Sequence, residues 1–275
     1  MAQWFTHTLV YNNTGNGKYA QETFVPVDRS GNVMAAAWGP AMNYHISAGN
    51  VPGFADEHIF GKVNGTASAG YSTVWTAADT LATILYPWDT AAGTLSVVSS
   101  SSDDASGQSG AVTMRVEGLD NDYNEVTADF TLTGTVETAE SSETFLVINR
   151  AYVLTGATNV GKIQIKNGST IMGEIAAGMG QTLQAVYTVP AGKTAYLIEV
   201  QLTSSKNIST NSALFVREFG GVFRVRSDVK LYQNQAVTQW QIPLRIPEKS
   251  NIDMRIEGST NNAVGADFDL LVVDN

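Results

Sequence analysis

Asp120-Asn121-Asp122-Tyr123-Asn124 sets oxygen-bearing side chains at alternate residues, the spacing with which a calcium loop converges on one hard cation. The match stops there. Glu125 stands where the loop needs glycine and Thr131 where it needs a bidentate glutamate. A hairpin turn whose Asp and Asn bond their own backbone is the stronger reading. Asp56-Glu57-His58 offers adjacent metal-type ligands, but on a strand only Asp56 and His58 share a face, and His7 or His45 could join them only through the fold. No metal site is assigned.

Nucleophilic chemistry finds no support either. The chain has no Cys, which removes thiolate nucleophiles, thiolate zinc sites and disulfides together. A G-x-S-x-G elbow is missing, Gly107-Gln108-Ser109-Gly110 falls in a Ser-rich stretch read as a flexible exposed loop, and no glycine-rich phosphate loop occurs. A glycosidase needs two fixed carboxylates, and sequence offers no means of choosing the pair. The expectation is a protein without catalysis, cofactor or metal. Phe219, Phe223, Arg224 and Arg226 lie close in sequence, with Arg224 and Arg226 on one strand face. They could form an aromatic and cationic contact patch on protein, or an ordinary solvated sheet face.

The elements that must position these residues read as all-β. Val112 to Glu117 and Glu125 to Thr133 flank the polar turn as one hairpin. Lys162 to Lys166 and Ser169 to Ile175 flank Asn167-Gly168 as a second, with the Asn-Gly pair pointing to a type I′ turn. Eight strand-like runs follow at 183–189, 193–203, 212–219, 222–227, 229–233, 237–246, 251–257 and 266–274, the size of a β-sandwich or jelly roll. Pro243 and Pro247 should mark an edge strand or its ends, since proline donates nothing to a ladder. Val112 to Gly118 is echoed by Ile252 to Gly258, and Ala128-Asp129-Phe130 by Ala266-Asp267-Phe268. Either one hairpin was used twice, or alternating strands have converged.

The expected architecture is therefore tandem antiparallel β-sandwich domains, jelly-roll-like, at 95–180 and 181–275. A loop-rich, aromatic N-terminal arm at 1–94 precedes them, with a short helix near Thr76 to Ile84. Four of the five Trp and all three His fall in that arm, and Trp4, Phe5 and Trp38 are its candidate interface residues. Long irregular aromatic segments need burial to offset the entropy of ordering them.

Composition narrows the partners. A formal charge of -10 argues against gripping nucleic acid or an anionic membrane electrostatically. No apolar run approaches the roughly 18 residues of a membrane span, and the first residues have no basic region followed by an apolar one. Charged residues make up 15% of the chain where about 25% is usual, so few charges must be desolvated on meeting another protein. Residues 1–140 carry 4 basic and 15 acidic side chains, residues 141–275 carry 12 and 11. The nearly neutral half is the expected docking half.

Collinear stretches then resemble a known family. They run from Val51-Pro52-Gly53-Phe54, His58-Ile59-Phe60-Gly61 and Val74-Trp75 through Leu95-Ser96-Val97-Val98 and Val116-Glu117-Gly118-Leu119-Asp120. They continue with Phe145-Leu146-Val147-Ile148-Asn149-Arg150 and Ile175-Ala176-Ala177-Gly178 to Ala185-Val186-Tyr187-Thr188-Val189-Pro190. Over about residues 50 to 200 the chain resembles virion structural proteins of marine and cyanobacterial tailed phages. The resemblance implies a place in the virion, with other virion proteins, a major capsid protein or tail proteins, as partners. A homo-oligomer is expected, a trimer by the local symmetry of capsids and fibres. A capsid decoration or cement protein fits best among virion parts. A tail, nozzle or fibre component with host-glycan binding is the alternative, and a jelly-roll carbohydrate-active enzyme is a third.

Overall fold

A computed structural model describes residues 5–8, 23–26, 40–64, 70–79, 85–88, 91–206, 209–231, 234–257 and 262–275, with backbone alone for 5–8, 23–26 and 40–42. Trp4 and Trp38 lie outside the described residues, and of Phe5 only the backbone is described. The chain divides into two compact units, Met1–Asp56 and Glu57–Asn275.

In the first unit β1 (Phe5–Thr8) pairs antiparallel with β2 (Thr23–Pro26), from Phe5 opposite Pro26 to Thr8 opposite Thr23. Helix α1 (Pro40–Ser47) starts on a proline, whose missing N–H is no loss in a first turn. It ends in a Schellman motif: Asn50 N–H reaches His45 C=O, Gly49 N–H reaches Ile46 C=O, and Gly49 takes φ +70°.

The elements of the second unit begin with β3 (Phe54–Asn64), whose first residues belong to the boundary, β4 (Tyr71–Thr73) and a 3₁₀ turn at Thr76–Asp79. They continue with β5 (Gly93–Thr94), β6 (Ser96–Ser99), β7 (Ala111–Leu119), β8 (Glu125–Thr131), β9 (Thr144–Phe145) and β10 (Val147–Gly156). Next come β11 (Ile163–Asn167), β12 (Thr170–Ile175), β13 (Val186–Thr188), β14 (Lys193–Ser204) and β15 (Thr210–Arg217). The last are β16 (Arg224–Leu231), β17 (Gln235–Ile246), β18 (Asn251–Glu257) and β19 (Ala263–Asp274). The fold is an all-β sandwich fold.

Two sheets form the larger sandwich. One runs β17-β14-β19-β3. The other runs β18-β15-β16, with β13 and β4 sharing the free side of β18 end to end. Taken in chain order, β3, β14, β17 and β19 fall in the first sheet and β4, β15, β16 and β18 in the second, the eight-strand pattern of a jelly roll. Strict two-residue alternation in β19 turns Val264, Ala266, Phe268, Leu270 and Val272 inward. Trp75, Leu197, Val200, Leu214, Met254 and Ile256 complete that core.

The smaller sandwich, sheets β10-β7-β8 and β12-β11-β6, packs Met114, Val116, Phe130, Phe145, Ile148, Ile163, Ile165 and Met172 together. It lies between β4 and β14 in the chain, so one sandwich is nested in the other. Residues 54–79, expected within the loop-rich segment, supply β3 and β4 to the jelly roll. Periodicity missed β4 because it has three residues. In β3, Gly61 takes an inward position where a Cβ would stand 2.1 Å from Val74 O and 2.3 Å from Ala185 N, so the apolar alternation is broken by necessity.

Other details differ from expectation. Runs 222–227 and 229–233 are one strand, β16, continuous through Asp228. The helix near Thr76 to Ile84 is a 3₁₀ turn at its start, and 80–84 lie outside the described residues. In the β11–β12 hairpin Asn167 pairs with Thr170, so the turn residues are Gly168 and Ser169, and only Gly168 takes positive φ. That is the pattern of a type II′ turn, with glycine leading, in place of I′. The echoed segments are not one hairpin used twice: β7 pairs with β8, whereas β18 and β19 lie in opposite sheets. What they share is alternation, which buries Met114, Val116 and Phe130 as it buries Met254, Ile256 and Phe268. β17 is an edge strand, as its prolines suggest, and Pro243 lies where its pairing with β14 skips from Gln239 to Leu244.

Candidate functional site

One concavity lies inside the second unit, a pocket of about 310 Å³ where β3 meets the β7–β8 pair, β10 and β13. Glu57 shares the inward register of Ile59 and Val63, but stands beyond the core. Glu117 comes from β7 and Glu125 from the start of β8, so the fold brings Glu57 to two carboxylates sixty residues and more away in sequence.

They are not equivalent. Glu117 accepts a 2.7 Å hydrogen bond from the Tyr152 hydroxyl. Glu125 pairs with Lys193 Nζ at 2.7 Å. Glu57 has no hydrogen bond or ion pair among the described residues. Its carboxyl is held above the usual range, first by burial and then by the charges of Glu125 and Glu117, with Arg150 and Lys193 pulling the other way. Tyr187, 4% exposed, also lines the pocket. Burial, then Glu57 and Glu125, push its hydroxyl well above the ordinary tyrosine value. Asn149 is already clamped to the Thr188 backbone through both amide atoms, and Gln184 donates to Ile148 C=O at 2.8 Å while its Oε1 has no partner.

The residues singled out from sequence separate. His58 Nδ1 meets Asp269 Oδ1 at 2.5 Å on the outer side of β3, and stacks at 5.7 Å on Phe60. Among the described residues no group of three or more His, Asp or Glu is arranged to hold a metal. Asp120 spends its oxygens on its own turn, Oδ1 accepting from Asp122 N at 2.8 Å and Asn124 N at 2.9 Å. The Ser-rich loop, expected to be exposed throughout, is exposed at its tip, 106–109, and pinned at its base by Asp104. That side chain is fully buried and accepts from the Ser99 hydroxyl at 2.6 Å, Ala111 N at 3.0 Å, and Val160 N and Gly161 N at 2.8 Å.

The Phe219 to Arg226 patch also divides. Phe223 is half-buried, 5.4 Å from the Trp88 ring, with the guanidinium carbons of Arg217 and Arg255 at 4.9 and 4.6 Å over its face. Phe219 is exposed, edge-on to Tyr123 at 5.7 Å and near Lys249. Arg224 is exposed, and Arg226 pairs with Glu218. Val222 before β16, Val225 on it, and Val237 and Ile242 on β17 are exposed apolar side chains as well, with Ile242 85% exposed.

No family model matches this chain, and no curated protein does. Among solved structures it is similar to that of infectious bursal disease virus Gt strain, at 12% identity and a TM-score of 0.20, covering 86% of this chain and 78% of that one. It is also similar to the infectious bursal disease virus VP2 subviral particle, at 12% identity and a TM-score of 0.20, covering 82% and 72%. Likeness at that level carries no argument about role.

Proposed function

We propose that this chain is a structural component of a tailed-phage virion, a decoration or cement protein that stabilises the head through protein–protein contacts and performs no catalysis. One observation carries the reading. β16 and β17 are the end strands of the two jelly-roll sheets, and with the loop before them they expose Phe219 (66%), Val222 (67%), Val225 (50%), Val237 (51%) and Ile242 (85%). Bare strand edges with apolar side chains are costly on a solitary protein and suited to a partner. The 15% charge content and the resemblance over residues 50 to 200 point the same way.

The test is to purify particles, locate the chain by cryo-electron microscopy, and repeat with the double variant Val222→Asp, Ile242→Asp. Wild-type chain should be present in many copies and stay bound in about 1 M NaCl, where charges more than about 3 Å apart are screened. The variant should fold and incorporate at least tenfold less. Chain recovered only from lysate, or released by salt alone, would remove the reading. Sugar release from a glycan that is lost in Glu57→Gln would replace it with a carbohydrate-active enzyme.

A further inference from the structure

We propose that the pocket between β3, β7, β8, β10 and β13 is a socket for an alkyl-ammonium or alkyl-guanidinium group. The inference does not depend on the virion reading. It rests first on an inventory of the walls. Glu57 is unpartnered among the described residues, and the Tyr187 hydroxyl, on a side chain 4% exposed, makes no hydrogen bond among them. Of the donors nearby, Lys193 is paired with Glu125 and the Asn149 amide with Thr188, while Arg150, exposed, gives Nη2 to Gln181 Oε1 at 3.0 Å and keeps further N–H groups. Three carboxylates line the pocket against one guanidinium, so it favours a ligand that brings donors and positive charge.

The second support is shape. Ile59, Leu119 and Val126 line the same pocket, giving an apolar wall along which an alkyl stem can lie while its charged head meets Glu57. About 310 Å³ is room enough for one such chain. The third is the field. Glu57 faces Glu117 on β7, Glu125 on β8, Arg150 on β10, Tyr187 on β13 and Lys193 on β14, while His58 beside it is turned to Asp269. Burial and the charges of Glu125 and Glu117 disfavour the ionised Glu57, so a bound cation would offset them and favour its carboxylate form.

Agmatine and cadaverine, an alkyl-guanidinium and an alkyl-ammonium, are the probes, titrated into the full chain by calorimetry at pH 8 and pH 4. Saturable one-to-one binding on the order of 1 mM or tighter is expected at pH 8, weakening about tenfold at pH 4 as Glu57 takes up its proton. Glu57→Gln should weaken binding at least tenfold and Tyr187→Phe about threefold, with melting temperatures checked for each. Glu140→Gln, outside the pocket, should change nothing. Two further measurements separate the sources of the cation. Zero-length carbodiimide coupling of Glu57 to a lysine of a neighbouring chain in assembled material marks a protein side chain, and a small amine retained in native mass spectrometry marks a free metabolite. No saturable binding, binding indifferent to Glu57→Gln, or glucose or galactose binding here while the cations do not, would overturn the proposal.

Discussion

Each sandwich buries one aspartate completely, and the two are held in opposite ways. Asp104, in the nested sandwich, meets no cation. Burial alone would raise its pKa, but the Ser99 hydroxyl and the N–H groups of Val160, Gly161 and Ala111 outweigh that and hold it below the usual carboxylate range. Asp253, on the outer side of β18, has a cation beside it. Arg255 Nη2 stands 2.7 Å away, Trp88 Nε1 donates at 3.0 Å and the Thr73 hydroxyl at 2.9 Å. Burial still dominates, and its carboxyl sits above the usual range. Backbone N–H groups already fixed by the fold stabilise an anion without a second ion to desolvate, whereas a buried partner ion brings a desolvation cost of its own. Asp104 is a knot tying the 99–111 loop to 160–161. Asp253 fastens Trp88 and β4 over the jelly roll.

The largest expected effect is that of Asp104→Ala. It leaves three N–H groups and a hydroxyl facing a void, each costing about 1 to 3 kcal/mol, so urea unfolding should show a loss on the order of 4 kcal/mol or more. A loss under about 1 kcal/mol would mean that water replaces the carboxylate. Asp253→Ala comes next, at about 3 kcal/mol, because Arg255 is left buried beneath Phe215 and Phe223 without its anion. If Asp253→Ala, Arg255→Met recovers most of that loss, the pair serves specificity more than stability.

The smallest effect sharpens the contrast most, because its sign differs between the two sites. Asp104 contributes stability that is full above the unfolded aspartate value of about 3.9 and is lost as pH falls through its lower folded value. Asp253 binds its proton more tightly folded than unfolded, so its contribution improves as pH falls from its raised value toward about 3.9. Stability followed from pH 7 to pH 2 should therefore flatten below about pH 4 in Asp104→Asn, and fall more steeply above it in Asp253→Asn. Parallel curves for the two variants would erase the distinction.

How much of this could be read from sequence depended on how local the signal was. The inward side chains of β19 alternate without a break, and that strand is evident from periodicity alone. The turn from Asp120 to Asn124 is likewise local, since Asp120 spends its carboxylate on Asp122 and Asn124. Asp104 is not: its donors come from residues 99, 111, 160 and 161, and a Ser-Asp-Gly stretch that packs inward has the composition of one that does not. Nesting is invisible for the same reason, because the sheet edge shared by β4 and β13 exists only once β18 lies between β15 and both. The pocket is the extreme case. In sequence Glu57 stands between Asp56 and His58 on the opposite strand face, and nothing local points to its companions, Glu117 and Glu125 on strands of the other sandwich. Phe223 was grouped with exposed residues near it in sequence, yet it covers two arginines.

The points where the chain leaves and rejoins the jelly roll lie side by side. Trp75 and Gln184 form an antiparallel bridge, and Ala185 N–H donates to Val74 C=O at 2.8 Å. To the host sheets, more than a hundred residues of nested sandwich are topologically equivalent to a tight turn. The seam is stitched as well as closed: Leu119 and Val147 of the nested sandwich sit in the jelly-roll core, and Trp88 caps Asp253 of β18. Host and passenger therefore constrain one another, and a replacement module would have to bring those contacts with it.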